Sequence, residues 1–192
     1  MPEQRSAIEN VDRTLSADNM HPALHELPVA GALLILAWDE TGDRDVGAAA
    51  SALGLGDRDG HAYGDGISLL LPLAPGRWLA ATTSAAAVVR LRRELAPDRC
   101  IDLDCAHTWL RLAGPGADDS LARELPIDLR EQAFPEGSCA RTVAAQVDVI
   151  VHALQRRPET EFDLLVPRSL AAHLVTHLRD AGHFAFTGPA VP

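Results

Sequence analysis

The residue types that carry chemistry in this chain fall into a few spacings. His173 and His177 stand four apart in HLVTH, a spacing that places two imidazoles on one helix face and suits a metal. A metalloprotease helix needs glutamate directly after the first histidine, and leucine stands there, so an ordinary helix surface is expected. His21 and His25 repeat the spacing near the N-terminus. Cys105 and His107 are two apart, which on a strand would put a thiol and an imidazole on one face. Nucleophilic catalysis also needs an orienting third group and an oxyanion site, and neither is visible nearby. Asp57-Arg58-Asp59-Gly60 opens like a calcium loop, yet its twelfth position is Ser68 where a bidentate glutamate is required. Gly54-Leu55-Gly56 lacks the third glycine of a dinucleotide fingerprint and follows a helix pattern instead of a strand. Gly114-Pro115-Gly116 could offer backbone amides to an anion, but Pro115 lacks one and Asp118 and Asp119 would repel it. No catalytic constellation emerges.

Composition narrows the classes further. The chain has 192 residues and a formal charge of −10, so a phosphate backbone is an improbable partner and no nucleic-acid role is expected. All 17 basic residues are arginine. Without lysine there is no Schiff base, no pyridoxal attachment and no P-loop. A chain of this length buries roughly 70% of its unfolded surface, so it needs no staple to fold. Cys100, Cys105 and Cys139 are odd in number and widely spaced, which argues against a disulfide framework. The polar, acidic start is unlike a signal peptide, and the apolar run 29–38 is too short to span a bilayer. A cytoplasmic protein without membrane contact is expected.

The elements that would position these residues read as α+β. Residues 1–24 lack periodicity and are expected to form a flexible arm. The rest, 25–192, reads as one two-lobed domain, with lobes at roughly 25–97 and 98–185. Strands are expected at 32–38, 67–73, 76–82, 107–114, 142–154 and 162–167, the last two paired across QRRPETE. Helices are expected at 46–55, at 84–97 with Ser84 as N-cap, at 117–125, and at 169–182 with Gly182 as C-cap. Ala85, Val88, Leu91 and Leu95 form the apolar stripe of the second helix, and Leu170, Leu174, Leu178 and Ala181 that of the last. The aspartate-rich segment 98–105 joins the lobes. Each lobe follows the order strand, helix, strand, strand, helix, with Trp78 matching Phe162 and Ser84 matching Ser169.

One stretch remains, PIDLREQAFPEGSCARTV at 126–143. Together with GPGADDSLAREL before it and VPRS (166–169) after it, its order and spacing resemble the gamma subunits of heterotetrameric sarcosine oxidases. The marks are Gly114-Pro115, Pro126-Ile127-Asp128-Leu129, Phe134-Pro135-x-Gly137, Arg141-Thr142 and Val166-Pro167-Arg168-Ser169, with GRWLAA (76–81) in the first half. The resemblance covers roughly residues 28–182. It implies the duplicated fold of the folate-binding aminomethyltransferases. It implies a non-catalytic subunit that supports assembly with alpha, beta and delta subunits, with FAD, FMN, NAD and tetrahydrofolate held on those partners and no cofactor on this chain. The parent complex would demethylate sarcosine to glycine oxidatively, or another N-methyl amino acid. A stand-alone folate-binding or aminomethyltransferase-like protein is the alternative, with Asp104 or Asp128 facing a pterin. On the first reading the stretch is a holding loop. Phe134 and Pro135 would meet a partner pocket. Asp128 would be fixed by Arg141 or Arg168 through a charge-assisted hydrogen bond. Otherwise Phe134 folds back into its own lobe and Asp128 caps a turn.

Overall fold

The computed structural model describes residues 6–8, 22–39, 41–55, 62–181 and 184–186. In chain order the elements are β1 (Ala23–Leu27), β2 (Gly31–Leu36), α1 (Gly42–Leu53), β3 (Tyr63–Gly64), β4 (Ser68–Ala74), β5 (Arg77–Thr82), α2 (Ala85–Glu94), β6 (Cys100–Asp102), β7 (His107–Ala113), α3 (Ala117–Ala122), β8 (Cys139–Ala144), β9 (Val147–Gln155), β10 (Glu161–Pro167), α4 (Ala171–Asp180) and β11 (Ala185–Phe186). They fall into two compact units, one of Val29–Cys105 and one of Met1–Pro28 with Ala106–Pro192. The chain thus changes unit at Cys105/Ala106, later than the expected 97/98, and β1 belongs with the later segment.

In the unit 29–105 the sheet order is β3-β4-β5-β2-β6. The β4–β5 hairpin forms where the sequence indicated, closing at Gly76 with φ +69°. That glycine is required by its neighbour as well as its φ, because a Cβ would stand 2.9 Å from the Cα of Trp38. α1 starts four residues before its expected start, with Asp43 and Asp45 in the first turn where the helix dipole favours them. It ends on Gly54 in the left-handed region, whose N–H returns to the carbonyls of Ala50 and Ser51. Ser84 caps α2 by accepting the N–H of Ala87 at 3.3 Å. The buried face of α2 is Ala87, Val88 and Leu91, while Ala85 is exposed. Leu33, Ile35, Leu70 and Ala80 face these helices across the core.

The other unit has the order β11-β1-β7-β10-β9-β8. Leu110, Leu112, Phe162, Leu164, Val149 and Val151 point to one face and pack under Leu174, Val175 and Leu178 of α4. Leu170 is exposed, since a 3-10 turn over Arg168–Leu170 precedes α4. Gly182 and residues 9–21 lie outside the described residues. Residues 6–8 are docked, contrary to a flexible arm. Ile8 is buried in this core, and Glu26 accepts from the Ser6 hydroxyl and from Ala7 N–H at 3.1 Å.

One expected strand is two. The run 142–154 folds back on itself as the hairpin β8–β9, paired from Cys139↔His152 to Ala144↔Val147. The two turn residues, Ala145 and Gln146, both have positive φ, +48° and +66°. This is the backbone of a primed hairpin turn, normally signalled by Asn-Gly, and Ala-Gln carries no such signal.

Candidate functional site

The stretch 126–143 is a clamped loop followed by a sheet edge. Leu125, Leu129 and Phe134 turn into the core of their own unit, and Ile127 packs against it. Phe134 is 7% exposed, so it holds the loop to its own unit and offers no ring to a partner. This corrects the anchor reading. The physical reason is the buried Arg156, whose Nη2 donates to the carbonyls of Leu129 at 3.1 Å and of Phe134. Further along, Gly137 donates to the Ala153 carbonyl at 2.8 Å and Ala153 donates to Ser138 at 2.9 Å, pinning the loop to β9.

Asp128 pairs with neither Arg141 nor Arg168. It accepts from Arg130 N–H at 3.0 Å and from Arg130 Nε at 2.9 Å, a local turn clasp. The Arg130 side chain, and then its backbone N–H, hold the Asp128 carboxyl down at about 2. Arg141 pairs with Asp148 on the adjacent strand at 3.2 Å. Arg168, half-buried, opens the turn before α4, and its backbone N–H donates to Ala106 at 2.9 Å. Pro135 stays exposed and, with Arg130, Glu131, Gln132 and Arg157, lines an open groove of about 650 Å³. Asp128, Pro135 and Arg141 therefore lie on the surface of the loop and the strand it feeds, while Phe134 is buried in the core.

A second cluster was missed in the sequence. On the face of the six-stranded sheet opposite α4, Asp163 is fully buried and accepts from Trp109 Nε1 at 2.7 Å and from Arg111 Nε and Nη2 at 2.9 and 2.8 Å. All three bonds fall on Oδ1. Its Oδ2 lies 3.6 Å from Nδ1 of the buried His152, and neither of these two atoms has a hydrogen-bond partner. Trp109, His152 and Asp163 are each 1% exposed or less and Arg111 keeps 16% of its side chain exposed, so the cluster is an internal polar tie that reaches solvent through Arg111. Only the strand alternation of WLR against FDL could have signalled it.

The remaining candidates are structural. His173 Nε2 meets the Ala145 carbonyl at 3.2 Å and His177 Nε2 meets Glu124 at 3.0 Å, each bracing α4. No three metal-ligating groups converge among the described residues. Cys105 sits in a turn with φ +64° before β7 begins, not on a strand with His107. Cys139 is pushed up to about 12 by burial, which leaves it a thiol and not a nucleophile. The calcium-like Asp57–Gly60 lies outside the described residues. Of the two carboxylates considered for a pterin, Asp104 is bound by Arg92 at 2.8 Å and by Ala32 N–H at 3.1 Å, and Asp128 by Arg130. Both carboxylates are thus engaged by a neighbouring arginine while remaining partly exposed, 36% for Asp104 and 42% for Asp128.

The fold places the chain in a known class. It matches the glycine cleavage system aminomethyltransferase T from Bartonella henselae with a TM-score of 0.62 at 16% identity, over 88% of this chain and 48% of that one. The chain thus spans about half the length of the aminomethyltransferase. A chain of the heterotetrameric sarcosine oxidase from Corynebacterium sp. U-96, solved in complex with pyrrole 2-carboxylate, matches with a TM-score of 0.73 at 25% identity, over 93% of this chain and 94% of that one. This protein is a relative of that fold. No family model and no curated protein matches the chain. No helix among the described residues is long and apolar enough to cross a membrane.

Proposed function

We propose that the chain is a non-catalytic, gamma-type subunit of a multisubunit flavin-dependent oxidase that demethylates sarcosine or a related N-methyl amino acid. One observation carries this reading. The match to a chain of the heterotetrameric oxidase is nearly end to end for both chains, whereas the aminomethyltransferase is covered only by half. The absence of a catalytic constellation in the sequence agrees with it, because the chemistry then belongs to other chains. In this reading alpha, beta and delta subunits are the partners, and FAD, FMN, NAD and tetrahydrofolate are theirs. The thiols of Cys100 and Cys105, neither in a disulfide, suit a reducing, cytoplasmic setting. The finer reading of the fold is a duplication. It is supported by the corresponding orders β3-β4-β5-β2-β6 in one sheet and β8-β9-β10-β7-β1 in the other, which carries β11 in addition beyond β1.

The test is to tag the chain in its native host, isolate it gently, and record native mass and visible absorbance. A yellow assembly that oxidises sarcosine, with larger subunits present, is expected. A colourless chain recovered alone from cells that make the oxidase would overturn the proposal.

A further inference from the structure

Sheet edges invite pairing with other chains, and proteins blunt them by keeping edge strands short, bulged, charged or proline-bearing. Of the four edge strands among the described residues, β11 and β3 are two residues long and β6 is three. β8 is six. It carries no proline, its register with β9 is continuous without a bulge, and its single charge, Arg141, is already paired with Asp148.

The direction of its backbone groups follows from the hairpin. A two-residue turn is closed by a pair that exchanges both hydrogen bonds, here Ala144 and Val147. Alternation then makes Thr142–Val149 and Ala140–Val151 bonded pairs, and the bond from Ala153 N–H to the Ser138 carbonyl has the same parity. The N–H and C=O of Arg141 and Val143 consequently point away from β9. No partner meets these four groups among the described residues. The Val143 side chain beside them is 45% exposed.

We propose that β8 is the docking edge of this subunit, and that a partner subunit of the oxidase adds an extended segment to it through the backbone groups of Arg141 and Val143. This rests on the subunit reading above and names the contact. A second copy of the chain is the poorer occupant. Two chains of charge −10 repel, and edge pairing between copies would do nothing to neutralise that charge. An incoming segment that places an apolar side chain beside Val143 gains main-chain bonds for affinity and side-chain contact for register.

The test is amide hydrogen exchange on the free chain and on the yellow assembly. In the free chain, Thr142 and Ala140 are protected while Arg141 and Val143 exchange fast. In the assembly, Arg141 and Val143 slow by at least about tenfold. Val143→Pro removes the outward N–H at a position where an edge strand tolerates proline. It lowers recovery of the assembly by at least about tenfold while the free chain keeps its circular dichroism. If wild type assembles with Arg141 and Val143 still exchanging fast, the edge proposal is wrong and the subunit reading stands. If wild type recovers no flavoprotein chain, both fall. Protection at Arg141 and Val143 that grows with concentration of the purified chain alone would assign the edge to a second copy and overturn the proposal.

Discussion

The guanidinium of Arg156 lies over the ring of Phe162, 4.6 Å from its centroid, and from there donates to the carbonyls of Leu129 and Phe134. One buried cation thus ties the strand β10 to the loop before β8. Burial, the largest influence, lowers its pKa, while Asp118 and Glu131 oppose that shift.

Arg156→Ala strands two buried carbonyls and removes the stack. The expected loss is about 2–4 kcal/mol in urea unfolding, and trypsin should cut faster after Arg130, whose side chain is 80% exposed. Arg156→Lys, which lacks the planar fork, should fall between. Unchanged cleavage at Arg130 in Arg156→Ala would show that the loop holds itself.

Phe134→Ala makes a cavity in the unit's own core. A loss of about 3–5 kcal/mol is expected, lowering the melting temperature by on the order of 10 °C. Assembly of whatever remains folded at low temperature should be close to wild type. Loss of assembly without loss of melting temperature would restore Phe134 as a partner anchor.

Asp163→Asn keeps an acceptor for Trp109 but leaves the partly buried Arg111 with only the more distant Glu161, 4.0 Å from its Nε, as counter-charge. A cost of about 3–5 kcal/mol is expected, together with a change in Trp109 near-ultraviolet dichroism. The double change with Arg111→Met should recover part of it, because removing both charges is cheaper than removing one. Full additivity of the two losses would argue that Asp163 and Arg111 are not coupled.

His107 is pushed below its ordinary value, first by burial and then by the positive Arg141. The unfolded chain therefore takes the proton first as pH falls. Stability is fully present above about 6.5, the unfolded value, and declines as pH drops below it, levelling once pH passes the folded value. The slope from this one group is at most about 1.4 kcal/mol per pH unit. His107→Gln should flatten the decline in melting temperature between about pH 7 and 5.5. Parallel profiles for the two proteins would place the acid sensitivity elsewhere.

What was legible in the sequence divides along physical lines. The β4–β5 turn at Gly76, the Ser84 cap and the pairing of β10 with β9 were read directly, because each rests on a local residue preference or on alternation. The β8–β9 turn was not, since tertiary pairing imposes a positive φ on Ala145 and Gln146 against their own preference. Phe134 looked exposed because it lies between polar residues and prolines. Its burial depends on Arg156, twenty-two residues on, which no local pattern announces. The Asp163 cluster left no trace beyond the strand alternation of WLR and FDL, being assembled from β7, β9 and β10. Asp128 takes the turn-capping alternative to the distant-arginine pairing, because Arg130, two residues away, is within reach.

The primed turn makes a final prediction with the opposite sign. Ala145 and Gln146 hold left-handed backbone that Asn and Gly adopt at lower cost. Ala145→Asn with Gln146→Gly leaves the Ala145 carbonyl in place for His173 Nε2. A gain of about 1 kcal/mol is expected, less whatever the added glycine returns to the unfolded chain. The stabilised hairpin should also protect the inward amides of Thr142 and Ala140 more strongly, because their bonds to β9 depend on that turn. A loss of stability in the double variant would show that the turn is set by contacts of the native Ala-Gln side chains and not by backbone preference.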